Sequence, residues 1–138
     1  MGGSIMSKLI DYLNVNTMGQ LATIKDGKPV MRPFQFQFVR EGKFYFVTAN
    51  TKDVYKQLEA LGVAGFAIIG KDMKWVRING EIQFVDNLEL KEEVFDKEPL
   101  IRNIFKTADN PIYQMFYIHK GMASFHEFEG ELIEEMKI

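Results

Sequence analysis

The pair Asp26-Gly27 stands between two stretches in which apolar and polar residues alternate, "QLATIK" and "KPVMRPFQFQFV". Asp-Gly accepts the positive φ angles of a two-residue type I′ turn, so the sequence predicts an antiparallel β-hairpin here. A second hairpin is predicted to turn at "REGK" around Gly42 and to return through "FYFVTA". Two consecutive hairpins constrain the fold because they commit this part of the chain to antiparallel pairing.

The rest of the chain alternates short helices with further strands. Helical spacing predicts a helix in "SKLIDYL" with Ser7 as a candidate cap, a helix over about residues 52 to 61 with Asn50 or Thr51 as N-cap, and a helix pair broken at Pro99. Strands are predicted in "VAGFAIIG", with both faces covered, and in "KWVRINGEIQFV", "YQMFYIH" and "MASFHEF". Gly80 is expected to mark a bulge, and the acidic end "EGELIEEMKI" to trail off in solvent.

This order of elements favours one domain over residues 1–138 of the α+β class, mostly β with helices. We expect six to seven antiparallel strands in a closed or partly closed barrel flanked by short helices. A chain of 138 residues with 46% hydrophobic content is long enough to bury one core. Residues 1–5 are expected to be a tag or a disordered start.

Charge and residue usage exclude several classes of function. A formal net charge of −2, with Lys and Arg scattered among acids, argues against a nucleic acid partner. The absence of cysteine excludes thiol catalysis and cysteine metal sites. No stretch approaches the roughly 20 apolar residues of a membrane span, and none has the apolar core of a signal peptide, so we expect a cytoplasmic protein with no membrane partner.

Histidine and serine give no complete catalytic or metal site in the sequence. His119 and His126 are the only histidines, and no metal site is expected from them. Ser124 and His126 share a strand face and could form a hydrogen bond, but acyl transfer also needs a placed acid and an oxyanion hole. The glutamates between residues 127 and 135 are most simply a solvated surface. We therefore expect no catalytic side chain.

The helix predicted after "TANT" carries a lysine, Lys52, in its first turn. A cation there is disfavoured by roughly 0.3 to 1 kcal/mol at an exposed site, because the helix N-terminus is already partly positive. A bound phosphate would reverse the sign, since the free amides and the ammonium would converge on it. The alternative is that Lys52 is simply solvated beside Asp53.

The stretch "RPFQFQF" also departs from an ordinary strand. Alternation places Arg32 and three phenylalanines on one face and Pro33, Gln35 and Gln37 on the other. A proline cannot donate to a β-ladder, so Pro33 indicates an edge or a bulge with backbone groups left free. The glutamines are either plain solvent-facing residues or contacts to a ligand.

Folding of the second hairpin would gather these features. Arg32, the strand end at Thr48 and the helix start at Lys52 would then lie close together. This grouping suits a molecule with a phosphate at one end and a flat, hydrogen-bonding ring at the other.

The order and spacing of "GQLATIKDGKPVMRPFQFQF", "KFYFVTANTKDVYKQLE" and "KWVRINGEIQFV" resemble the FMN-binding split-barrel family named after pyridoxamine 5′-phosphate oxidase. The resemblance implies a split β-barrel that binds FMN in a homodimer, with a cleft at the subunit interface. In this family the positions of Arg32, Thr48, Thr51 and Lys52 hold the flavin and its phosphate. The full set of cofactor-binding residues that we expect is Arg32, Pro33, Phe34, Gln35, Gln37, Thr48, Asn50, Thr51, Lys52 and Trp75.

The sequence differs from the oxidases at Gln37, where they carry a lysine, and at Trp75, where they carry a glutamine near the ring. It differs from the small nitroimidazole-resistance-like members at Val47, where a histidine is common. The resemblance thus implies FMN binding rather than pyridoxamine phosphate as the substrate. We expect an FMN-dependent oxidoreductase acting on a small molecule; the alternative is a non-catalytic flavin- or ligand-binding module. The aromatic load, 12 Phe, 5 Tyr and 1 Trp, also favours a homodimer.

Overall fold

The structure is a computed structural model that describes residues 7–138, and the expected tag at residues 1–5 lies outside this range. The helices are α1 (Lys8–Val15), α2 (Asp53–Leu61), α3 (Leu88–Lys97) and α4 (Pro99–Phe105). The strands are β1 (Met18–Lys25), β2 (Lys28–Gln35), β3 (Phe38–Arg40), β4 (Lys43–Ala49), β5 (Val63–Ile69), β6 (Trp75–Val85), β7 (Tyr113–His126) and β8 (Leu132–Lys137). None of the helices in the described range is long and apolar enough to cross a membrane.

All strands pair antiparallel in one sheet of order β2-β1-β5-β6-β7-β4-β3, with β8 added beside β7. The two ends of this order, β2 and β3, are joined by only two residues, which closes the sheet into a barrel. The predicted class, a mostly β barrel with flanking helices, is confirmed. The strand count within residues 7–138 is eight rather than six or seven.

Both predicted hairpin turns are confirmed. Asp26 and Gly27 have φ angles of 53° and 74°, and Glu41 and Gly42 have the same pair of values. These left-handed angles match the twist of the flanking strands, which is why a short turn with glycine suits these positions.

The second predicted strand is broken, and the break changes what its residues touch. β2 ends at Gln35 and β3 begins at Phe38. Phe34 and Phe36 pack in or against the main barrel core, as alternation predicts. Phe38 instead joins a second cluster with Tyr45 and with Val94 of α3. The prediction that Phe38 shares a face with Arg32 is therefore wrong, because strand alternation does not continue across a break.

The last two predicted strands form one strand. "YQMFYIH" and the first five residues of "MASFHEF" belong to the 14-residue β7, which passes the predicted "KG" turn without reversing. The first half of β7 pairs with β4 and the second half with β8, so one long strand serves two neighbours. Opposite Lys120 and Gly121 of β7, the register of β6 shifts between Asn79 and Glu81, which confirms the bulge expected at Gly80.

The acidic end is not a free tail. It forms β8, because Ile133, Met136 and Ile138 pack against the main core and hold the segment to β7. Glu134 is not a plain solvated residue. Its carboxylate accepts hydrogen bonds from the Ser7 hydroxyl and the Leu9 amide, each at 2.9 Å.

The predicted starts of α1 and α4 agree with the structure, and the predicted start of α2 differs. Ser7 caps α1 and Asn87 caps α3 through side-chain hydrogen bonds, and Pro99 begins α4 as predicted. α2 begins one residue later than expected, at Asp53. Its N-cap residue is Lys52 rather than Asn50 or Thr51, and no side chain caps it.

The outer face of the sheet is open around β5, although we predicted that both faces of this strand are covered. Phe66 and Ile68 point into the core, but Val63 and Ile69 are 40% and 56% exposed. Ala67 is exposed between them. A single chain therefore leaves an apolar sheet face without a covering layer.

Candidate functional site

A cleft lies at the split in the barrel, between β2 and β4. Its volume is about 280 Å³, which is near the lower limit of ligand pockets. It is lined by residues from β1, β2, β4, the start of α2, and α4: Met18, Pro33, Phe34, Gln35, Gln37, Val47, Thr48, Ala49, Lys52, Ile101, Ile104 and Phe105. Of the ten predicted binding residues, the structure brings six to this cleft: Pro33, Phe34, Gln35, Gln37, Thr48 and Lys52.

Two side chains in the cleft carry buried polar atoms without a hydrogen-bond partner. Gln37 is 1% exposed and Thr48 is 5% exposed. Neither amide atom of Gln37 has a partner, and neither does the Thr48 hydroxyl; within residues 7–138 these are the buried side-chain polar atoms left unsatisfied. A buried group without a hydrogen bond costs about 1–3 kcal/mol, so this cleft is built at the expense of stability. A ligand with matching donors and acceptors would recover that cost.

The backbone of Gln37 is held firmly, although its side chain is not. Its N–H donates to the carbonyl oxygen of Tyr45 at 3.0 Å. The Lys97 ammonium donates to its carbonyl oxygen, and burial lowers the pKa of that lysine. These contacts fix the link between β2 and β3, so the Gln37 amide is presented to the cleft in a set position.

The start of α2 forms the polar end of the cleft. Lys52 has extended backbone angles, φ −91° and ψ 151°, and occupies the N-cap position. The first amides of an α-helix have no partner within the helix, and here no side chain serves them. An exposed ammonium and uncapped amides together make an anion-binding end.

Arg32 lies on the other side of β2 and does not line the cleft. Its guanidinium donates to Thr23 Oγ1 at 2.8 Å and to Gln57 Oε1 at 2.7 Å, which links β1, β2 and α2. Burial lowers the pKa of Arg32, and the carboxylate of Asp53 opposes that shift. Within one chain, Arg32 therefore supports the helix whose N-cap residue is Lys52.

The remaining predicted residues also lie outside the cleft. Asn50 and Thr51 form the turn between β4 and α2, and the Asn50 amide donates to the carbonyl oxygen of Pro111 at 3.0 Å. Trp75 lies on the outer sheet face and stacks on His126, with ring centroids 4.0 Å apart. It could touch a ligand in such a cleft only if that cleft belonged to a second copy of the chain.

Sequence reasoning missed the third wall of the cleft, which is α4. Ile101, Ile104 and Phe105 line it from above β4. Their i, i+3, i+4 spacing predicts an amphipathic helix but not the surface it covers. Phe105 is fixed by Tyr113, whose ring stacks on it at 4.6 Å.

No group of three or more His, Asp or Glu side chains among residues 7–138 is arranged to hold a metal ion. Ser124 Oγ and His126 Nε2 do form the hydrogen bond that the strand face predicted, at 2.8 Å.

The fold and this cleft define a class of split-barrel proteins with a site between β2, β4 and α2. The profile of the pyridoxamine 5′-phosphate oxidase family matches residues 6–134. The chain therefore belongs to the pyridoxamine 5′-phosphate oxidase family. Among curated proteins, no sequence matches this chain.

Solved structures place the chain within this fold. A NimC/NimA family protein from Clostridium acetobutylicum is 30% identical, with a TM-score of 0.82 over 93% of this chain and 88% of that one. A pyridoxamine 5′-phosphate oxidase-related, FMN-binding protein from Nostoc punctiforme is 16% identical, with a TM-score of 0.67 over 89% and 81%. A heme-binding protein from Mycobacterium smegmatis is 13% identical, with a TM-score of 0.73 over 96% and 59%.

Proposed function

We propose that the cleft binds FMN and that the protein is an FMN-dependent oxidoreductase acting on a small electrophilic molecule. The observation that carries this proposal is the unsatisfied pair in the cleft, the Gln37 amide and the Thr48 hydroxyl. The edge of an isoalloxazine ring offers acceptors and a donor side by side. An amide, which both donates and accepts, is suited to that edge.

The remaining contacts follow from the two ends of FMN. The flat ring would lie against Pro33, Val47 and Phe105, which are the apolar lining. The phosphate would lie at Lys52 and the uncapped amides of α2, where two charge-assisted interactions meet. Arg32 would support the phosphate site indirectly, because its hydrogen bond to Gln57 keeps α2 in position.

The transfer of the hydride or of single electrons itself needs no catalytic side chain. A bound flavin itself accepts and donates a hydride or single electrons. The residues of the cleft bind and orient it, and α4 excludes water from one side. The electron source would be a reduced nicotinamide or another small reductant.

The protein is proposed to be a homodimer whose interface is the open sheet face. Five adjacent strands each contribute one residue to a row of cross-strand neighbours on this face. The row consists of Pro33, Gln20, Ala67, Arg77 and Ser124. Its middle strand is β5, where Gly65 and Ala67 keep the surface low. A second copy can therefore approach most closely there.

A two-fold axis along β5 has a specific consequence. It places β2 of one copy opposite β7 of the other, because the rotation reverses the order of the strands. The alternative axis along β6 would set the two copies of Arg77 against each other. Under the β5 arrangement, the Trp75–His126 end of one copy covers the cleft of its partner.

A non-catalytic flavin- or ligand-binding module remains the competing function, and heme is one such ligand. Heme iron is usually held by His, Cys, Met or Tyr. Of these, the described residues of one chain that line the cleft include only Met18, which is 59% exposed. The unpartnered Gln37 amide and Thr48 hydroxyl favour FMN, because its ring edge offers matching donors and acceptors.

The decisive experiment starts from purified protein freed of ligand. We expect FMN to restore a flavin spectrum, NADH or NADPH to bleach it, and an added electrophile to bring it back. If FMN binds but neither a nicotinamide nor another small reductant bleaches it, the protein is a binding module. No binding of FMN would contradict the proposal.

The interface is tested separately with single cysteines, since the natural chain has none. Ala67→Cys on the axis should give a disulfide-linked dimer on oxidation, whereas Glu59→Cys on exposed α2 should not. Light scattering should give twice 16.0 kDa at micromolar concentration. A mass near 16 kDa would contradict the dimer.

A further inference from the structure

The hydrogen-bonded pair Ser124–His126 has a fixed proton arrangement. His126 Nδ1 lies 3.1 Å from the carbonyl oxygen of Gly130, which can only accept a hydrogen bond, so Nδ1 carries a proton. Nε2 lies 2.8 Å from Ser124 Oγ. In the neutral ring, Nε2 accepts the serine proton; in the charged ring, Nε2–H donates to the serine oxygen. The carbonyl thus holds the imidazole in the tautomer that couples it to the hydroxyl.

The pair lies on the outer sheet face, on the same side as the cleft wall. Ser124 is in the same row as Pro33, four strand spacings away or about 19 Å, so it cannot reach the cleft of its own chain. The axis along β5 brings it over the cleft of the partner. Trp75 stacks on the imidazole and keeps it in place.

Charged groups surround the pair on every neighbouring element. Arg77 of β6 is in register with Ser124, and its guanidinium lies 5.5 Å from the Trp75 ring centroid. Glu135 of β8 is in register with Ser124 on the other side. Glu127 and Glu131 lie in the loop that follows His126.

We propose that Ser124, with His126 behind it, is the proton donor for the substrate reduced in the partner's cleft; this rests on the proposed function. A two-electron reduction adds a hydride, supplied through the flavin by the nicotinamide, and leaves a negative charge on the substrate. The Ser124 hydroxyl gives its proton to the substrate atom that carries this charge. His126 Nε2–H gives its proton to Ser124 Oγ, and the neutral imidazole is recharged from solvent. Ser124 is the catalytic residue, and His126 is the positioning and proton-supplying residue.

The first test uses flavin-free protein. Trp75 is the only tryptophan, and its indole stacks on the His126 imidazole, which quenches its emission. Trp75 emission should therefore rise in His126→Gln and stay unchanged in His119→Gln. Equal emission in wild type and His126→Gln would show that the imidazole does not stack on Trp75, and would overturn its place behind Ser124.

The second test separates the two half-reactions of the flavin-loaded protein. Re-oxidation by 1,4-naphthoquinone needs a proton at the substrate, whereas ferricyanide takes single electrons and needs none. Ser124→Ala and His126→Gln should slow the naphthoquinone reaction by about 10²–10⁴-fold. Reduction by NADH and re-oxidation by ferricyanide should stay unchanged. Ser124→Thr, which keeps the hydroxyl, should restore the rate.

The outcomes distinguish this inference from the function on which it rests. A protein that binds no FMN, or whose reduced flavin no added electrophile re-oxidises, overturns both. A protein that turns over, but whose naphthoquinone rate is unaffected by Ser124→Ala, overturns only the proton donor. Equal losses with naphthoquinone and ferricyanide would show a structural role for the pair, which also overturns it.

Discussion

The guanidinium of Arg32 donates a hydrogen bond to Gln57 Oε1 at 2.7 Å, and this contact ties the middle of β2 to the second turn of α2. The same Oε1 lies 2.5 Å from Thr23 Oγ1, so three elements meet at one amide oxygen. Lys52 stands at the beginning of that helix. The position of the proposed phosphate site is thus set by a buried network one turn further along.

We expect Arg32→Met to lower the free energy of unfolding by about 1.5–3 kcal/mol, because it removes hydrogen bonds from a charged donor to buried acceptors. Combined with Gln57→Leu, it should show a coupling free energy of about 0.5–3 kcal/mol in a double-mutant cycle. Urea denaturation measures both. Arg102→Met is the control, since its ion pair with Asp96 is exposed and is worth at most about 1 kcal/mol. Additive losses at Arg32 and Gln57 would contradict the network.

Lys52→Ala should weaken FMN binding by about 10- to 150-fold, because one charge-assisted hydrogen bond is worth roughly 1.5–3 kcal/mol. Riboflavin, which has no phosphate, should bind nearly as before. Lys56→Ala, one turn further along the same helix, is the matched control. If Lys52 is merely solvated, its removal will leave FMN affinity unchanged and slightly favour the helix.

Thr48→Val should raise the stability of the ligand-free protein by about 1 kcal/mol, because it removes a buried hydroxyl that has no partner. The same change should weaken FMN binding by about 2- to 10-fold. Thr23→Val provides the opposite case. That hydroxyl is buried but accepts a hydrogen bond from Arg32, so its loss should be destabilising. Thermal unfolding with and without FMN measures both signs, and a destabilised Thr48→Val would count against an unsatisfied cleft.

Glu134→Gln should lower the free energy of unfolding by about 0.5–2 kcal/mol, because the carboxylate caps α1 from β8. Glu135→Gln, on the opposite face of the same strand, should change stability by less than about 0.5 kcal/mol. Urea denaturation of the two variants compares them directly. Equal stabilities would show that the cap contributes nothing in solution.

FMN titrated into ligand-free protein should quench Trp75 emission, because the partner's cleft would bring the flavin ring against the indole. The dimer is required for this effect. Dilution below the dissociation constant of the dimer should therefore abolish the quench together with the dimer. Quenching that persists in a monomer would place the ring elsewhere.

The sequence determined much of the fold through local chemistry. Asp26-Gly27 and Glu41-Gly42 specify tight turns because few residue pairs accept their φ angles. Apolar alternation in β6 separates Val76 and Ile78 from Arg77 and Asn79, as the structure confirms. Pro99 divides the helix pair. These features depend on neighbours in the chain, so a sequence reveals them.

The sequence alone also indicated part of the site, since Pro33, Gln37, Thr48 and Lys52 meet in one cleft. It did not indicate that Arg32 lies behind α2 or that α4 forms a wall. Both depend on which element packs on which surface, and helical spacing names a buried face without naming its partner.

Only the tertiary structure decided how the strands are shared. β7 continues through Lys120 because β4 and β8 each pair with one half of it, and β8 exists because its apolar residues find the core. The β4–β7 pairs join residues 64 to 74 positions apart, and the hydrogen bond between Ser7 and Glu134 joins residues 127 positions apart, so no local pattern encodes them. The sequence set turns, periodicity and the chemistry of the cleft residues, and long-range packing decided which of them meet.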